Sequence, residues 1–187
     1  MKAGEWVLVH AAAGGVGLWL CQLLRVVGAR VIATASTAEK LELARQNGAE
    51  KLINYATEDF VARVKEFTDG QGAAAILDGV GKATFDQDLE AVARKGTIVS
   101  FGNASGAVPP LAIARLSAKN VRILRPRLFG YVETREEFVG YCEELFRLVA
   151  GAQVSVRVHE VYPLQEAGRA HADIEGRRTT GKLVLKI

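Results

Sequence analysis

Residues 7–17 read VLVHAAAGGVG, an apolar run that passes directly into small residues, and residues 16–24 continue as VGLWLCQLL. Val7-Leu8-Val9 has the character of a short strand, Ala11 to Gly17 that of a tight turn, and the following apolar stretch the length and pattern of a buried helix. Gly28 ends that helix, and Arg30-Val31-Ile32-Ala33-Thr34 supplies a second strand. Residues 1–35 therefore form one βαβ unit.

In a G-x-G-x-x-G turn the first small residue permits the tight bend. The second lets backbone approach a pyrophosphate, and the third lets helix pack on strand. Those places fall on Ala12, Gly14 and Gly17, with alanine at the first. A helix opening at Gly15-Val16 would offer free N–H groups and the positive end of its dipole to a diphosphate. Glycines alone also fit a mere strand-to-helix turn, but a strand before them and a helix after them are the context of a dinucleotide site. The form of the cofactor is read at the end of the second strand, where a site for NAD carries an acid for the ribose hydroxyls. Here the chain has Ala35-Ser36-Thr37, with Lys40 close behind. Hydroxyls and an ammonium group suit a 2′-phosphate and point to NADPH. The same residues also fit simple helix capping and a solvated first-turn lysine.

The alternation continues down the chain. Thr37 can cap a helix through Gln46, and residues 51–54 are strand-like. Residues 59–67 read as a helix, 74–78 as a strand, 84–93 as a helix, 96–101 as a strand and 121–124 as a possible sixth strand. Short connections between alternating strands and helices imply an α/β fold, a Rossmann-type doubly wound parallel sheet of about six strands. Asp78-Gly79-Val80-Gly81 and Phe101-Gly102-Asn103 each follow a strand on the side where such sheets bind ligands. Each is equally an ordinary turn. The pattern changes near residues 126–130, so residues 1–128 form the dinucleotide-binding domain. Residues 129–187 add a helix at 135–150, an alternating strand at 154–159, a helix at 164–174 and a strand at 182–187. This strand–helix–strand tail is too short for a core of its own and reads as the remnant of a second domain.

Composition limits the other possibilities. The 187 residues are 49% hydrophobic and 24% charged with a formal charge of +3, the balance of a globular protein without the basic patch of a nucleic-acid surface. Cys21 and Cys142 lie far apart in helical patterns and read as core thiols, and the three histidines are dispersed, so no metal cluster is visible. No run approaches a membrane span and residues 1–5 lack the apolar core of a signal peptide, which makes the cytoplasm the default location.

Several longer strings sharpen this. HAAAGGVG at 10–17, INY at 53–55, LDGVG at 77–81, SFGNASGAV at 100–108, RPRLFGY at 125–131, YPL at 162–164 and TGKL at 180–183 together make the chain resemble the zinc-free medium-chain dehydrogenases/reductases. Among these it is most similar to the zeta-crystallin-like NADPH:quinone oxidoreductases. The resemblance implies that Lys40 and Tyr55, with Ser36 nearby, contact the 2′-phosphate of NADPH. Gly14, Gly15 and Val16 would lie along the diphosphate, and Phe101, Gly102 and Asn103 would border the nicotinamide. Arg177 and Lys182 are less direct contributors. It also implies hydride transfer to a quinone or related conjugated carbonyl, or alternatively to an enoyl carbon–carbon double bond. A further implication is a homodimer joined through the edge strand 121–124. Members of that family begin with a barrel-like domain of about 100–150 residues that forms the other wall of the cleft. On this reading its counterpart is absent here and no catalytic side chain is assigned, so the alternative for the chain by itself is a non-catalytic NADPH-binding module.

Overall fold

The computed structural model describes residues 2–176 and 179–187. Six parallel strands form one sheet in the order β3-β2-β1-β4-β5-β6: β1 (Trp6–Val9), β2 (Arg30–Ala35), β3 (Lys51–Asn54), β4 (Ala73–Asp78), β5 (Val92–Ser100) and β6 (Arg122–Leu124). The helices between them are α1 (Gly15–Val26), α2 (Ala38–Gln46), α3 (Phe60–Phe67) and α4 (Phe85–Ala91). This is the doubly wound order, and it reverses direction between β1 and β4.

Strand periodicity explains the two-sided core. Val7, Leu8 and Val9 are fully buried, but successive side chains point to opposite faces. Leu8, Ile32, Ile53, Ile76 and Ile98 form one layer with Phe60, Val64 and Phe85 of α3 and α4. Val7, Val9, Val31, Ala33 and Leu77 form the other with Cys21 and Leu24 of α1 and Ala44 of α2. Each fully buried isoleucine or leucine stabilises the sheet by about 2 kcal/mol. Local signals set the helix starts: Thr37 accepts from Lys40 N–H (3.3 Å), and Asp59 accepts from Val61 and Ala62 N–H.

Beyond β6 lies α5 (Arg135–Ala150), opened by a reciprocal Thr134–Glu137 capping box. A separate parallel pair follows, β7 (Val158–Pro163) and β8 (Lys182–Lys186), joined through α6 (Ala167–Glu175). The buried apolar residues of this region are few: Leu148, Val154, Tyr162 and Ala170. Cys21 is in the core as its pattern predicts, whereas Cys142 on α5 is only half-buried.

Two strands depart from the sequence pattern. β5 begins at Val92 rather than 96, because Val92 pairs with Ala73 before the chain bulges and resumes pairing at Thr97 with Ala75. Lys95 takes a left-handed φ of 64° in that bulge, so Arg94 and Lys95, between the expected helix and strand, lie inside β5. β7 begins at Val158 rather than 154, because side chains of α1 hold the preceding segment. Gln22 accepts from Ser155 N–H (2.7 Å) and donates to Ser155 O (3.1 Å), while Arg25 donates to Gln153 O (2.9 Å). Glutamine here takes the place of a strand partner. Among the described residues no helix is long and apolar enough to cross a membrane.

Candidate functional site

The β1–α1 turn is built so that its backbone faces outward. Ala11 adopts φ 50°, Gly14 N–H donates back to Ala11 O (2.9 Å) and Ala12 N–H donates to Thr34 O (3.0 Å). Ala12 is fully buried without a left-handed φ, so alanine serves where the fingerprint has its first glycine. Gly17 has no such latitude. A Cβ there would lie 2.4 Å from Ala11 O and 2.7 Å from Ala12 Cα. Helix α1 therefore comes within backbone contact of the turn that feeds it.

The N-terminus of α1 differs from its capped neighbours. Its N-cap, Gly14, offers no side chain, and its first turn holds no acid. The first four N–H groups at a helix start lack intrahelical partners, and their dipole favours negative charge. An anion is the natural occupant. From the far end of the chain Gly181 forms a parallel bridge with Gly14, and its carbonyl would lie 3.0 Å from a Cβ on Gly15. Lys182 follows it, its N–H donating to Arg157 O (2.8 Å).

On the β2–β3 flank, Ser36 and Lys40 stand at the end of β2 and in the first turn of α2. Tyr55 follows β3, and its N–H donates to Ala35 O (3.2 Å), which brings it beside Ser36 in space. Its side chain is half exposed (47%) and accessible to a ligand. On the β4–β5 flank, Phe101 N–H donates to Asp78 O (2.8 Å), and Ala104 N–H to Gly79 O (3.1 Å). The two turns pack so closely that a Cβ on Gly102 would lie 2.4 Å from Gly79 O. The Asp78 carboxylate is fully buried and turned into its own loop, accepting from Val80 and Gly81 N–H and from the Thr84 hydroxyl. It shapes the turn, leaving backbone rather than carboxylate at the surface.

Residues predicted from sequence thus gather along one carboxyl edge of the sheet. Tyr55, Lys40 and Ser36 lie on one side of Gly14–Gly17, and Phe101, Gly102 and Asn103 lie on the other. Arg177 lies outside the described residues. Sequence reasoning gave no site role to Arg125, whose guanidinium donates to Ser100 O (2.8 Å) and Gly102 O (3.1 Å) and fixes the β5 turn. Assigned by its hydrogen bonds, the Asn103 amide donates to Gly102 O (2.7 Å) and accepts from Arg125 (3.3 Å). A depression of about 190 Å³ lies there, lined by Ser100, Asn103, Ala107, Val108 and Arg125.

A buried polar cluster beneath the turn also escaped the sequence reading. His10 Nε2 is 2.8 Å from Asp88 Oδ1, and its Nδ1 is 3.0 Å from Thr34 Oγ1. Burial raises the Asp88 pKa, with the nearby Asp78 carboxylate adding to the effect against the opposing pull of His10. Burial likewise pushes the Cys21 thiol up to about 12, which removes it as a nucleophile. Among the described residues no group of three or more His, Cys, Asp or Glu could hold a metal ion.

Comparison with known proteins places this geometry. The family model described as zinc-binding dehydrogenase matches residues 15–147. A probable quinone oxidoreductase of Schizosaccharomyces pombe is 46% identical over 185 residues, covering 99% of this chain and 56% of that protein. The solved quinone oxidoreductase of Escherichia coli complexed with NADPH superposes with a TM-score of 0.95 at 43% identity, over 100% of this chain and 58% of that one. A mycobacterial protein solved with NADPH gives a TM-score of 0.96 at 46% identity, with the same coverage. The chain thus spans a little over half the length of the relatives it matches.

Proposed function

The chain belongs to the zinc-binding dehydrogenase family, and we propose that it supplies the NADPH-holding unit of an oxidoreductase that passes hydride to a quinone or related conjugated carbonyl. The observation that carries this reading is the uncapped, acid-free start of α1, set against a turn too tight for a side chain at Gly17 and lying at the switch between β1 and β4. Gly14, Gly15, Val16 and Gly17 would hold the diphosphate, and Ser36, Lys40 and Tyr55 the 2′-phosphate. Phe101, Gly102 and Asn103 would border the nicotinamide, and Lys182 would close the loop from the C-terminal unit.

NADPH supplies the hydride, so the work of this chain is to orient the cofactor and to balance its charge. The backbone N–H groups of α1 would balance the charge of the diphosphate, and the fixed β4 and β5 turns would give the nicotinamide end a rigid floor. The family description implies zinc, but the described residues provide no ligand set for it. No step here runs through a metal. The relatives named above support a quinone as acceptor by their names and their NADPH complexes. The same reading includes a cytoplasmic enzyme and a homodimer through β6, the last strand of the sheet. Sedimentation of a monomer alone would remove the dimer.

Binding is the first test, with NADPH expected to bind about tenfold more tightly than NADH. Loss of NADPH absorbance with an ortho-quinone, compared with an enoyl thioester, then assigns the acceptor. Tight NADPH binding without turnover of either would sink the reductase and leave a cofactor-binding module. Replacing Ser36→Asp puts a carboxylate against the 2′-phosphate and should weaken NADPH about 30-fold while leaving NADH equal or better. Parallel loss for both cofactors would show that Ser36 does not face the phosphate.

A further inference from the structure

A second depression, of about 400 Å³, separates α2 from the C-terminal unit; Lys40 lines one wall, and Arg157 and Thr180 the other. Its position follows from the chain's own pairing. Arg157 O accepts from Lys182 N–H (2.8 Å), and Gly181, at φ 77°, sits so near that a Cβ would lie 2.5 Å from Arg157 O. Gly181 in turn bridges to Gly14. Arg157 is therefore anchored where the C-terminal unit meets the glycine turn, on the side of α2 that carries Lys40.

The charges in this depression are unequally committed. Glu42 accepts two hydrogen bonds from Arg45 (2.7 Å each) and one from Gln46 (3.0 Å), all within its own helix. Glu39 is held by the backbone at the helix start and by Thr37, which together lower its pKa. Both acids are satisfied by α2 itself. The Arg157 guanidinium, in contrast, makes no hydrogen bond or ion pair among the described residues, and the side chain is exposed. A fixed backbone carrying an uncommitted guanidinium opposite an ammonium group suits a doubly charged phosphate, which accepts paired donors from the planar fork.

We propose that Arg157 is a specificity-determining residue for the 2′-phosphate of the cofactor, reaching it from the C-terminal unit across the depression from Lys40. The inference rests on the NADPH reading above and adds to it a contact made by the other half of the chain. The sheet alone would then give a partial phosphate site, completed when residues 157 and 180–182 lie against the glycine turn.

The test compares Kd for NADPH, NADH, 2′-AMP and 5′-AMP in the unaltered chain, Arg157→Ala and Arg157→Lys at low and moderate salt. Arg157→Ala should weaken NADPH and 2′-AMP about tenfold and leave NADH and 5′-AMP unchanged. Arg157→Lys should recover part of the loss, and added salt should narrow the difference. Unchanged NADPH binding in Arg157→Ala, or equal losses for NADPH and NADH, would overturn the inference. If the unaltered chain itself fails to distinguish NADPH from NADH, the cofactor reading fails as well. If Ser36→Asp removes a preference that Arg157→Ala preserves, only the role of Arg157 falls.

Discussion

Gly17→Ala is expected to raise the Kd for NADPH by about a hundredfold or more and to lower folding stability by about 2–3 kcal/mol. The added Cβ would lie 2.4 Å from Ala11 O and 2.7 Å from both Ala12 C and Ala12 Cα, all of them backbone atoms. No rotamer change relieves such an overlap. The turn must instead move away from α1, and with it Gly14 and the N–H groups proposed to hold the diphosphate. The converse substitution is Gly140→Ala on α5, where a Cβ meets nothing within 4 Å. That change should leave NADPH affinity alone and raise stability by about 0.5–1 kcal/mol through helix propensity. Cofactor titration and denaturant unfolding of the two variants read both effects. Affinity within twofold of the original in Gly17→Ala would show that the turn does not hold the cofactor.

The features legible in the sequence are those encoded by neighbours. Val7-Leu8-Val9 running into small residues defines strand, turn and helix because each step depends on residues a few positions apart. The same holds for the Thr37 and Asp59 caps and for the series of short crossovers that forces a parallel sheet. The carboxyl edge then becomes predictable without knowledge of side-chain contacts, and Gly14, Ser36, Tyr55 and Phe101 all lie along it. Even alanine at position 12 is consistent, since the left-handed residue is Ala11.

What was not legible depends on partners distant in sequence. Residues 154–157 alternate like a strand, yet Gln22, 133 positions from Ser155, takes up the backbone groups of that residue. Residues 84–93 read as a helix and 96–101 as a strand, but pairing of Val92 with Ala73 starts β5 earlier and carries it through a bulge. Arg125 carries no spacing signal, and its role emerges only when β6 lies beside β5 and its guanidinium reaches Gly102. Asp78 opens a segment that follows a strand on the ligand-binding side of the sheet and reads equally as an ordinary turn. In the fold its oxygens are engaged by Val80, Gly81 and Thr84. Sequence position located that carboxylate on the correct edge, but local hydrogen bonding determined which way it turned.

Replacing Asp88→Ala should cost about 3 kcal/mol of stability, while Asp88→Asn should be as stable as the original chain in acid and more stable at neutral pH. His10 and Asp88 are 3% and 0% exposed and lie 2.8 Å apart, so truncating the aspartate leaves a buried imidazole nitrogen without its partner. The second carboxyl oxygen, Oδ2, has no hydrogen-bond partner among the described residues, and burial together with the Asp78 carboxylate raises the pKa of the group. Its folded pKa thus lies above the unfolded value of about 3.9. The contribution to stability is complete below that unfolded value and is lost as pH rises through the folded pKa. Asparagine keeps an oxygen for His10 and turns an amide toward Asp78, without a charge to bury. Denaturant unfolding from about pH 4 to 8 should therefore show the asparagine variant gaining on the original chain as pH rises, the direction set by linkage. A deficit that instead grows with pH would mean that the core stabilises the ionised carboxylate, and that His10 outweighs burial. His10 immediately precedes Ala11 in the glycine turn, so NADPH titration of the same variants reads whether this buried pair also holds the turn in register. Asp88→Ala is expected to weaken binding and Asp88→Asn to preserve it.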